Sequence, residues 1–341
     1  MAHLVIVSFR LGGSDGVSIE AGKWRDALAT LGHDVRLVAG EGPVDVVIEG
    51  LGAGATTPPS RDQLARAFDG ADVVVVENLA SLPLNVAARA ALYEVLDGRA
   101  AIFHHHDLAW QRPHLAHLEG PRDQTGWRHV TINELSRVAL RERGIEAATI
   151  YNSFDCDPPP GNRDATRRDL LVGDRTVMLM ATRAIARKNV AGALDLASRL
   201  GAILWLLGPA EDGYGGELER LIAASGVDCR RGLGKIANMH DAYAAADVVV
   251  LASTWEGFGN PMLESVTHRR PLAIYPYPVA LEIMEFGFRF FSLDDAEGIA
   301  GFIRAPNASV LERNLEIARS HFNLKALPAR LAELLRNVGA E

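Results

Sequence analysis

The sequence is poor in cysteine, in long apolar runs and in excess positive charge. Its two cysteines, Cys156 and Cys229, lie far apart without a CxxC spacing, so neither a disulfide framework nor a zinc site is expected. No apolar run reaches the roughly 18 residues that a membrane span needs. The formal charge of −8 argues against nucleic acid as the main partner, because proteins that bind it are usually basic. The opening residues show no charged n-region and no cleavage site, so we expect no signal peptide and a cytoplasmic protein.

What the sequence does contain is a repeated alternation of short apolar runs and helix-like segments. With 341 residues, of which 48% are hydrophobic and 23% charged, the chain suits two globular domains of about 150 residues each. "HLVIVSF" precedes the helical pattern "VSIEAGKWRDALATLG", and the runs "ADVVVVEN" and "RAAIFHHHD" follow further helical segments. Such alternation predicts an α/β fold with parallel, doubly wound sheets.

One segment interrupts this alternation. "DCDPPPGNRDATRRDLL" contains three consecutive prolines, a glycine and a cluster of charges, which is typical of a linker. We therefore predict a first domain over residues 1–160 and a second over 173–320, with a helix at about 322–341 that packs back on the first domain. Two Rossmann-like domains would place a cleft between the carboxyl ends of their sheets, where ligands bind in such folds.

The stretch "STWEGFGNPMLESV", residues 253–266, follows a buried apolar run and contains a glycine turn. Gly257 and Gly259 permit backbone conformations that a side chain would forbid. We expect Asn260 to cap a helix and Pro261 to occupy its first position. The helix N-terminus would attract phosphate through its amides and its dipole. The same pattern also fits a plain strand-to-helix turn in which a glutamate compensates the dipole.

The segment "EGFGNPMLE" resembles the E-x7-E motif of the retaining glycosyltransferases of family 4, which have the GT-B fold. In that family the first glutamate contacts hydroxyl groups of the donor sugar and the second binds the ribose. The resemblance implies these roles for Glu256 and Glu264. The residues between them would face the donor sugar and the diphosphate: Gly257, Phe258, Gly259 and Asn260.

A second match lies in "ATRAIARKN". Arg183 and Lys188 correspond to the basic pair that binds the diphosphate in the family. A guanidinium and an ammonium group at the end of a strand can offset the charge of a leaving diphosphate without a metal. Outside this context the segment would fit an ordinary surface cluster.

A glycine-rich turn, "RLGGSDGVS", follows the first predicted strand. It resembles the loop by which the family's first domain approaches the donor phosphate or the acceptor. The resemblance implies this role for Gly12, Gly13 and Gly16, with donor contacts for Gly12 and Gly13, and an acceptor contact for Asp15. The spacing is not G-x-G-x-x-G and gives no indication of NAD.

Three histidines end another predicted strand in "AIFHHHDLAWQRP". Adjacent residues of a strand alternate between faces, so the three side chains cannot all reach one metal ion. Family members carry a histidine here that contacts the transferred sugar near its anomeric carbon. The spacing favours His105 for this role and places Asp107 toward the acceptor, while His104 and His106 remain alternatives.

One segment departs from the family pattern. Where the family usually has a glycine pair, "RRPLAIYPYPVALEIME" has Tyr-Pro-Val, and Glu282 keeps the acidic position.

Together these matches predict a retaining glycosyltransferase that moves a hexosyl group from a UDP- or GDP-sugar to a small soluble hydroxyl acceptor. We expect no cofactor and no metal. The alternatives are a GT-B hydrolase or epimerase of sugar nucleotides and a non-catalytic nucleotide-sugar-binding protein. A membrane-surface enzyme with a lipid acceptor would need a basic amphipathic face, which the sequence does not indicate. The donor, the acceptor and the oligomeric state are left open.

Overall fold

The computed structural model describes residues 1–13, 15–233 and 238–339, and it divides the chain into two compact units. The N-terminal unit comprises Met1–Ser153 and the C-terminal stretch that begins at Leu324. The C-terminal unit is Phe154–Asn323.

The N-terminal unit is built on a parallel sheet with the strand order β3-β2-β1-β4-β5-β6-β7. Its strands are β1 (His3–Arg10), β2 (Asp34–Glu41), β3 (Val46–Val47), β4 (Val73–Glu77), β5 (Ala101–His105), β6 (Trp127–Thr131) and β7 (Ala147–Thr149). Its helices are α1 (Gly16–Thr30), α2 (Arg61–Ala67), α3 (Val86–Leu96), α4 (Glu134–Arg141) and α13 (Leu327–Val338). The order reverses at β1 and β4, and the carboxyl ends of strands beside such a point are where ligands bind in open α/β sheets.

Both faces of this sheet are covered. Val5 and Val7 of β1 face one hydrophobic cluster, and Leu4 and Ile6 face the other. The second cluster includes α1 and α13, and Leu331 of α13 is fully buried in it. This two-sided burial explains why the strands are almost entirely apolar rather than alternating.

The C-terminal unit repeats this architecture with a parallel sheet of strand order β10-β9-β8-β11-β12-β13. Its strands are β8 (Val177–Met180), β9 (Ile203–Leu206), β10 (Cys229–Arg231), β11 (Val248–Leu251), β12 (Leu272–Ile274) and β13 (Phe291–Ser292). Its helices are α5 (Arg163–Asp169), α6 (Val190–Leu200), α7 (Gly215–Ser225), α8 (Met239–Ala245), α9 (Asn260–Thr267), α10 (Pro278–Met284), α11 (Ala296–Arg304) and α12 (Ala308–His321). Here the order reverses between β8 and β11.

The proline-rich stretch that we expected to be a linker lies within the C-terminal unit. It contains helix α5, whose Arg163 donates to the carboxylate of Asp247 at 2.5 Å. Arg167 donates to the other oxygen of the same carboxylate at 3.1 Å. Asp247 directly precedes β11, so these arginines attach the segment to the sheet. They are therefore not merely a solvated helix face.

The predicted α/β class and the two parallel sheets are confirmed. The strands β3, β10 and β13, each of two or three residues, were not predicted, because so short a run carries no clear periodicity. Among the described residues, no helix is both long and apolar enough to cross a bilayer.

Candidate active site

The predicted donor residues follow β8 and β11, the two strands beside the reversal of strand order in the C-terminal unit. These strands pair directly, with Val248 beside Met178 and Val249 beside Leu179. The basic segment after β8 and the glutamate after β11 therefore leave the sheet at the same edge. The neighbouring position of these strands explains how residues about 70 positions apart in the sequence come into contact.

Glu256 is the centre of the charged contacts at this edge. Its side chain is 7% exposed, and one carboxylate oxygen accepts a hydrogen bond from Arg187 Nη1 at 2.7 Å. The other oxygen accepts from Lys188 Nζ. Burial alone would raise the pKa of Glu256, but the charges of Lys188 and Arg187 outweigh it and lower that pKa. Glu256 is thus an ionised carboxylate held by two cations.

Lys188 is placed by a short 3₁₀ turn, Ala186–Lys188, between β8 and α6. The turn ends at Asn189, which has a φ of 51° and caps α6 by accepting from the amide of Gly192 at 3.1 Å. Asparagine adopts this left-handed conformation more readily than most residues. Burial lowers the pKa of the Lys188 ammonium, and the charge of Glu256 opposes that shift.

Arg183, the other predicted diphosphate ligand, contacts a different carboxylate. Its Nη1 donates to Glu211 Oε2 at 2.5 Å, and both side chains are about one-third exposed. Gly208 lies against its backbone, since a Cβ at that position would come within 2.5 Å of Arg183 Cα. Arg183 and Lys188 therefore lie on one loop but do not share a partner, and Arg183 is the more accessible of the two.

The glycine turn between Glu256 and α9 differs in one detail from the prediction. Gly259, with a φ of 93°, is the N-cap residue, while Asn260 is the first residue of the helix and Pro261 the second. The expected capping role of Asn260 is therefore wrong by one residue. Glycine suits this left-handed position, and a Cβ there would lie 2.1 Å from the Tyr277 hydroxyl, so the cap falls at Gly259.

Phe258, within the same turn, is 3% exposed. Its ring packs against Phe154 at 5.9 Å and Phe322 at 6.2 Å, between ring centroids, in the core of the C-terminal unit. The side chain therefore anchors the turn, and a contact with the donor would come from the backbone. The carbonyl of Phe258 accepts a hydrogen bond from the hydroxyl of Tyr277 at 2.7 Å.

Glu264, the predicted ribose ligand, lies on α9. Its Oε2 accepts from the hydroxyl of Tyr243 at 2.5 Å. Tyr243 is fully buried, and both this burial and the charge of Glu264 raise its pKa well above the usual range. Tyr243 therefore stays protonated and can only donate to this carboxylate.

Two of the other side chains near this edge carry polar atoms that matter for a ligand. These are Thr182 Oγ1, two residues after β8, and Trp255 Nε1, beside Glu256. Within the described part of the chain, neither atom has a hydrogen-bond partner. A buried donor of this kind is costly unless a ligand or water satisfies it.

In the N-terminal unit, Asp15 has a structural role. Its carboxylate caps α1 by accepting from the amides of Val17 and Ser18, both at 3.2 Å. It also lies 3.1 Å from Arg10 Nε. Gly12, with a φ of 75°, and Gly13 form the turn before it, and a Cβ at Gly13 would lie 3.2 Å from Asp15 Oδ2. The acceptor contact of Asp15 stays a prediction.

The three histidines alternate between faces, as expected for a strand. His105 Nε2 lies 2.8 Å from His129 Nδ1 on one side of the sheet. His104 and His106 turn to the other side, where both contact Glu77 at the end of β4. All three are buried. Burial lowers the pKa of His105 well below its usual value.

Glu77 interacts with both of its imidazole neighbours as an ionised carboxylate. Burial would raise its pKa, but His104 and His106 hold it at about 2. His106 Nε2 lies 2.6 Å from Glu77 Oε2, and this contact raises the pKa of His106 against the effect of burial. The ligand atoms of these three residues lie within 4.8 Å of one another, so they have the donor types and the spacing to hold a divalent cation. Their mutual hydrogen bonds account for the same geometry.

Asp107 follows these histidines and is held from two sides. Arg112 Nη2 donates to its Oδ1 at 2.8 Å. Its backbone amide and that of His106 both donate to Asn78 Oδ1 at 3.0 Å. The resemblance placed Asp107 toward the acceptor, and that role stays a prediction.

Comparisons with known proteins show which proteins this chain resembles. Residues 176–305 match the model of a family described as glycosyl transferases group 1. Two mannosylglucosylglycerate synthases are similar over nearly the whole chain. The enzyme from Thermotoga maritima is 25% identical, covering 95% of this chain and 97% of its own length. The enzyme from Petrotoga mobilis is also 25% identical, with 98% and 96% covered. These matches support a GT-B glycosyltransferase.

Solved structures agree on the fold of this glycosyltransferase. HepE from Anabaena, crystallised with UDP-glucose, superimposes with a TM-score of 0.78 at 18% identity, covering 99% of this chain and 100% of that one. Sucrose-phosphate synthase from Thermosynechococcus elongatus gives a TM-score of 0.75 at 16% identity, with both chains fully covered. Because these identities are low, the likeness concerns the fold alone.

Sequence reasoning missed three residues that contact the candidate site: Arg187, Tyr243 and Tyr277. Arg187 is adjacent to the predicted Lys188, but only the fold reveals that its guanidinium reaches Glu256. Tyr243 donates to Glu264, which lies 21 positions away in the sequence, and Tyr277 donates to Phe258, which lies 19 positions away. The one available signal was the unusual "YPYPV" segment, which contains Tyr277.

Proposed function

We propose that this glycosyltransferase is a retaining, metal-independent enzyme that transfers a hexosyl group from a UDP- or GDP-sugar to a small hydroxyl acceptor. The observation that carries the proposal is the arrangement around Glu256. An ionised, buried carboxylate is held at the end of β11 by Arg187 and Lys188, next to the loop that carries Arg183. A carboxylate fixed in this way is suited to accept hydrogen bonds from sugar hydroxyls.

The donor would be divided among three parts of the C-terminal unit. Glu264 binds the ribose hydroxyls, Arg183 and Lys188 face the diphosphate, and Glu256 orients the sugar. The N-terminus of α9 adds a positive dipole end beside the diphosphate. The unpartnered Trp255 Nε1 supports a ligand at this edge, because a sugar or phosphate oxygen would satisfy it.

In the proposed reaction, the bond between the anomeric carbon and the diphosphate oxygen breaks while the acceptor oxygen bonds to the same face of that carbon. The acceptor hydroxyl gives its proton to the departing phosphate oxygen, so the products are a glycoside and a nucleoside diphosphate. Negative charge grows on the phosphate in the transition state. Each preorganised donor that offsets such charge is worth roughly 3 kcal/mol. Glu256 orients the sugar and forms no covalent bond.

The names of the relatives narrow the choice of donor. Two are called mannosylglucosylglycerate synthases, and HepE was crystallised with UDP-glucose. We therefore expect a mannosyl or glucosyl donor, with a hydroxyl of a small glycoside or sugar acid as the acceptor. The resemblance assigns the acceptor side to the N-terminal unit, with His105 near the anomeric carbon and Asp15 and Asp107 near the acceptor.

Metal independence is proposed because Arg183, Lys188 and the dipole of α9 already supply positive charge for the diphosphate. Dialysis against EDTA should therefore leave turnover unchanged. A loss of turnover that Mg²⁺ or Mn²⁺ restores would contradict this part of the proposal. A loss that only Zn²⁺ restores would point instead to the cluster of Glu77, His104 and His106.

The first test is a thermal-shift panel of UDP-glucose, UDP-N-acetylglucosamine and GDP-mannose, each at about 100 times its expected Kd. Binding of this strength adds about 2.7 kcal/mol to the stability of the native state. For a domain of this size, each 1 kcal/mol raises Tm by about 2–4 °C. If none of the three raises Tm, the proposal fails.

The second test is product analysis by NMR with the donor selected in the panel and a set of small hydroxyl acceptors. A product that keeps the anomeric configuration of the donor is expected. Inversion would contradict the retaining mechanism. Release of free sugar, or a changed sugar, without any acceptor would identify a hydrolase or an epimerase instead. Glu256→Gln should bind nucleotide but lose turnover, and unchanged turnover in that variant would contradict the role of Glu256.

A further inference from the structure

Two buried tyrosines, Tyr243 and Tyr277, donate hydrogen bonds to the segment of residues 257–264, and their burial keeps both hydroxyls away from a ligand. Tyr277 is 1% exposed, and its hydroxyl donates to the carbonyl of Phe258 at 2.7 Å. The same hydroxyl lies 2.1 Å from the point where a Cβ at Gly259 would stand. The glycine turn therefore passes directly over this hydroxyl, and its shape depends on both residues.

Tyr243 supports the other end of the segment. Its hydroxyl donates to Glu264 Oε2 at 2.5 Å, and its ring stacks on His268 at 4.5 Å between centroids. His268 Nδ1 in turn donates to the backbone carbonyl of Glu264 at 2.7 Å. The carboxylate and the main chain of Glu264 are thus held by a stacked pair of rings.

We infer that Tyr243 and Tyr277 are positioning residues for two different parts of the donor: Tyr243 aligns Glu264 for the ribose, and Tyr277 shapes the glycine turn for the sugar diphosphate. The inference rests on the proposed function and adds to it. Both hydroxyls are single donors to a fixed acceptor, so replacing tyrosine by phenylalanine removes one hydrogen bond and keeps the ring. When Glu264 or the turn loses this hydrogen bond it gains freedom, and the ligand must then bear the cost of ordering it.

Tyr277 belongs to the segment in which this chain departs from the family pattern. A glycine at that position would leave the Phe258 carbonyl without this donor. Tyr277 therefore stabilises the glycine turn through this hydrogen bond.

The test compares Tyr243→Phe and Tyr277→Phe with Tyr93→Phe as the matched control. Tyr93 is 8% exposed, lies in the N-terminal unit, and its hydroxyl accepts from the amide of Arg122 at 3.1 Å. Calorimetric titration measures the Kd of three ligands for each protein: a nucleoside monophosphate, the nucleoside diphosphate and the nucleotide sugar. The uridine series (UMP, UDP, UDP-glucose) or the guanosine series (GMP, GDP, GDP-mannose) is used, as the thermal-shift panel selects.

The two variants should differ in which of the three ligands they weaken, rather than in how much they weaken binding. Tyr243→Phe should weaken all three ligands by a similar factor, about three- to tenfold, because each carries the ribose. Tyr277→Phe should leave the monophosphate unchanged and weaken the nucleotide sugar by about the same factor. Gly259→Ala, whose Cβ would displace the Tyr277 hydroxyl, should reproduce the pattern of Tyr277→Phe. Tyr93→Phe should change no Kd.

The outcomes separate the inference from the function on which it rests. If the unmodified protein binds none of the ligands, the proposed function fails and the inference fails with it. If it binds them, and both tyrosine variants either match the control or weaken all three ligands equally, the inference alone is overturned. A lower Tm together with unchanged Kd values for all three ligands would show that the hydroxyls serve stability only. That result would also overturn the inference.

Discussion

The contacts of Glu256 predict that removing this carboxylate destabilises the protein more than removing either of its partners. Glu256 faces both Arg187 and Lys188 within hydrogen-bonding distance. Glu256→Gln keeps the size of the side chain but leaves Lys188, which is 8% exposed, as a buried charge without its anion. Breaking a buried ion pair from one side costs about 3–5 kcal/mol.

Lys188→Met should cost less. Glu256 keeps Arg187 at 2.7 Å, and methionine fills the space of the lysine stem without a charge to solvate. We expect a loss of about 1–3 kcal/mol, the value of one hydrogen bond to a charged group. In the double variant Glu256→Gln/Lys188→Met the buried uncompensated charge is gone, so part of the stability lost in Glu256→Gln should return. Turnover should not return, because the proposed function assigns both groups to the donor.

Hydrogen exchange measured by mass spectrometry suits this comparison, because peptides covering β8 and β11 report on the C-terminal unit even when the two units unfold separately. Glu219→Gln serves as the control. Glu219 pairs with Arg231, and both side chains are about half exposed, so this change should cost no more than about 1 kcal/mol. Either of two results would refute the reasoning: Lys188→Met costing as much as Glu256→Gln, or Glu256→Gln costing no more than the control.

Three further predictions concern other charged groups. Since the pKa of Glu77 is lowered to about 2, its ionised form stabilises the fold above pH 4.5, and this stabilisation should be lost as pH falls from 4.5 toward 2. In an acid titration followed by circular dichroism, Glu77→Gln should lose less stability over this range than the unmodified protein. Identical curves for the two proteins would contradict the prediction. His105→Asn should lower kcat by about 100-fold, because it removes the side chain expected to position the sugar at its anomeric carbon. An equal loss confined to His106→Asn would transfer the role to His106. Glu211→Gln should tighten nucleoside diphosphate binding a few-fold in calorimetry, because it frees Arg183 from a pair that is about one-third exposed and adds little stability. Weaker binding would show that Glu211 itself orients Arg183.

Much of the fold could be predicted because apolar strand runs and helical patterns alternate clearly along the sequence. The apolar runs of β1, β4, β8 and β11 are buried on both faces, so each appears in the sequence as an almost uninterrupted hydrophobic stretch. The helix α9 was also expected, but its first residue was placed one position late. The preference of asparagine for capping positions was outweighed here by the need for a left-handed residue at Gly259.

The partners of the site residues could not be predicted, because they depend on which strands are neighbours. Glu256 meets Lys188 across 68 positions of sequence only because β8 and β11 pair side by side. The same holds for Glu77 and the histidines, which come from adjacent strands β4 and β5. Alternation along β5 did predict that His105 faces away from its two neighbours. Nothing in the sequence indicated that these neighbours, His104 and His106, would contact Glu77.

The charges of the C-terminal unit suggest how a site for an anionic donor stays stable without it. Every cation that the diphosphate would meet is paired with a carboxylate, but the two pairings differ in burial. The contact of Lys188 with Glu256 is buried, so breaking it is costly and it should persist when the donor binds. The contact of Arg183 with Glu211 is about one-third exposed on each side, so exchanging that carboxylate for a phosphate costs little. In the proposed function, the buried pair would keep Glu256 in place for the sugar, while the more exposed Arg183 would supply the charge that the departing diphosphate requires.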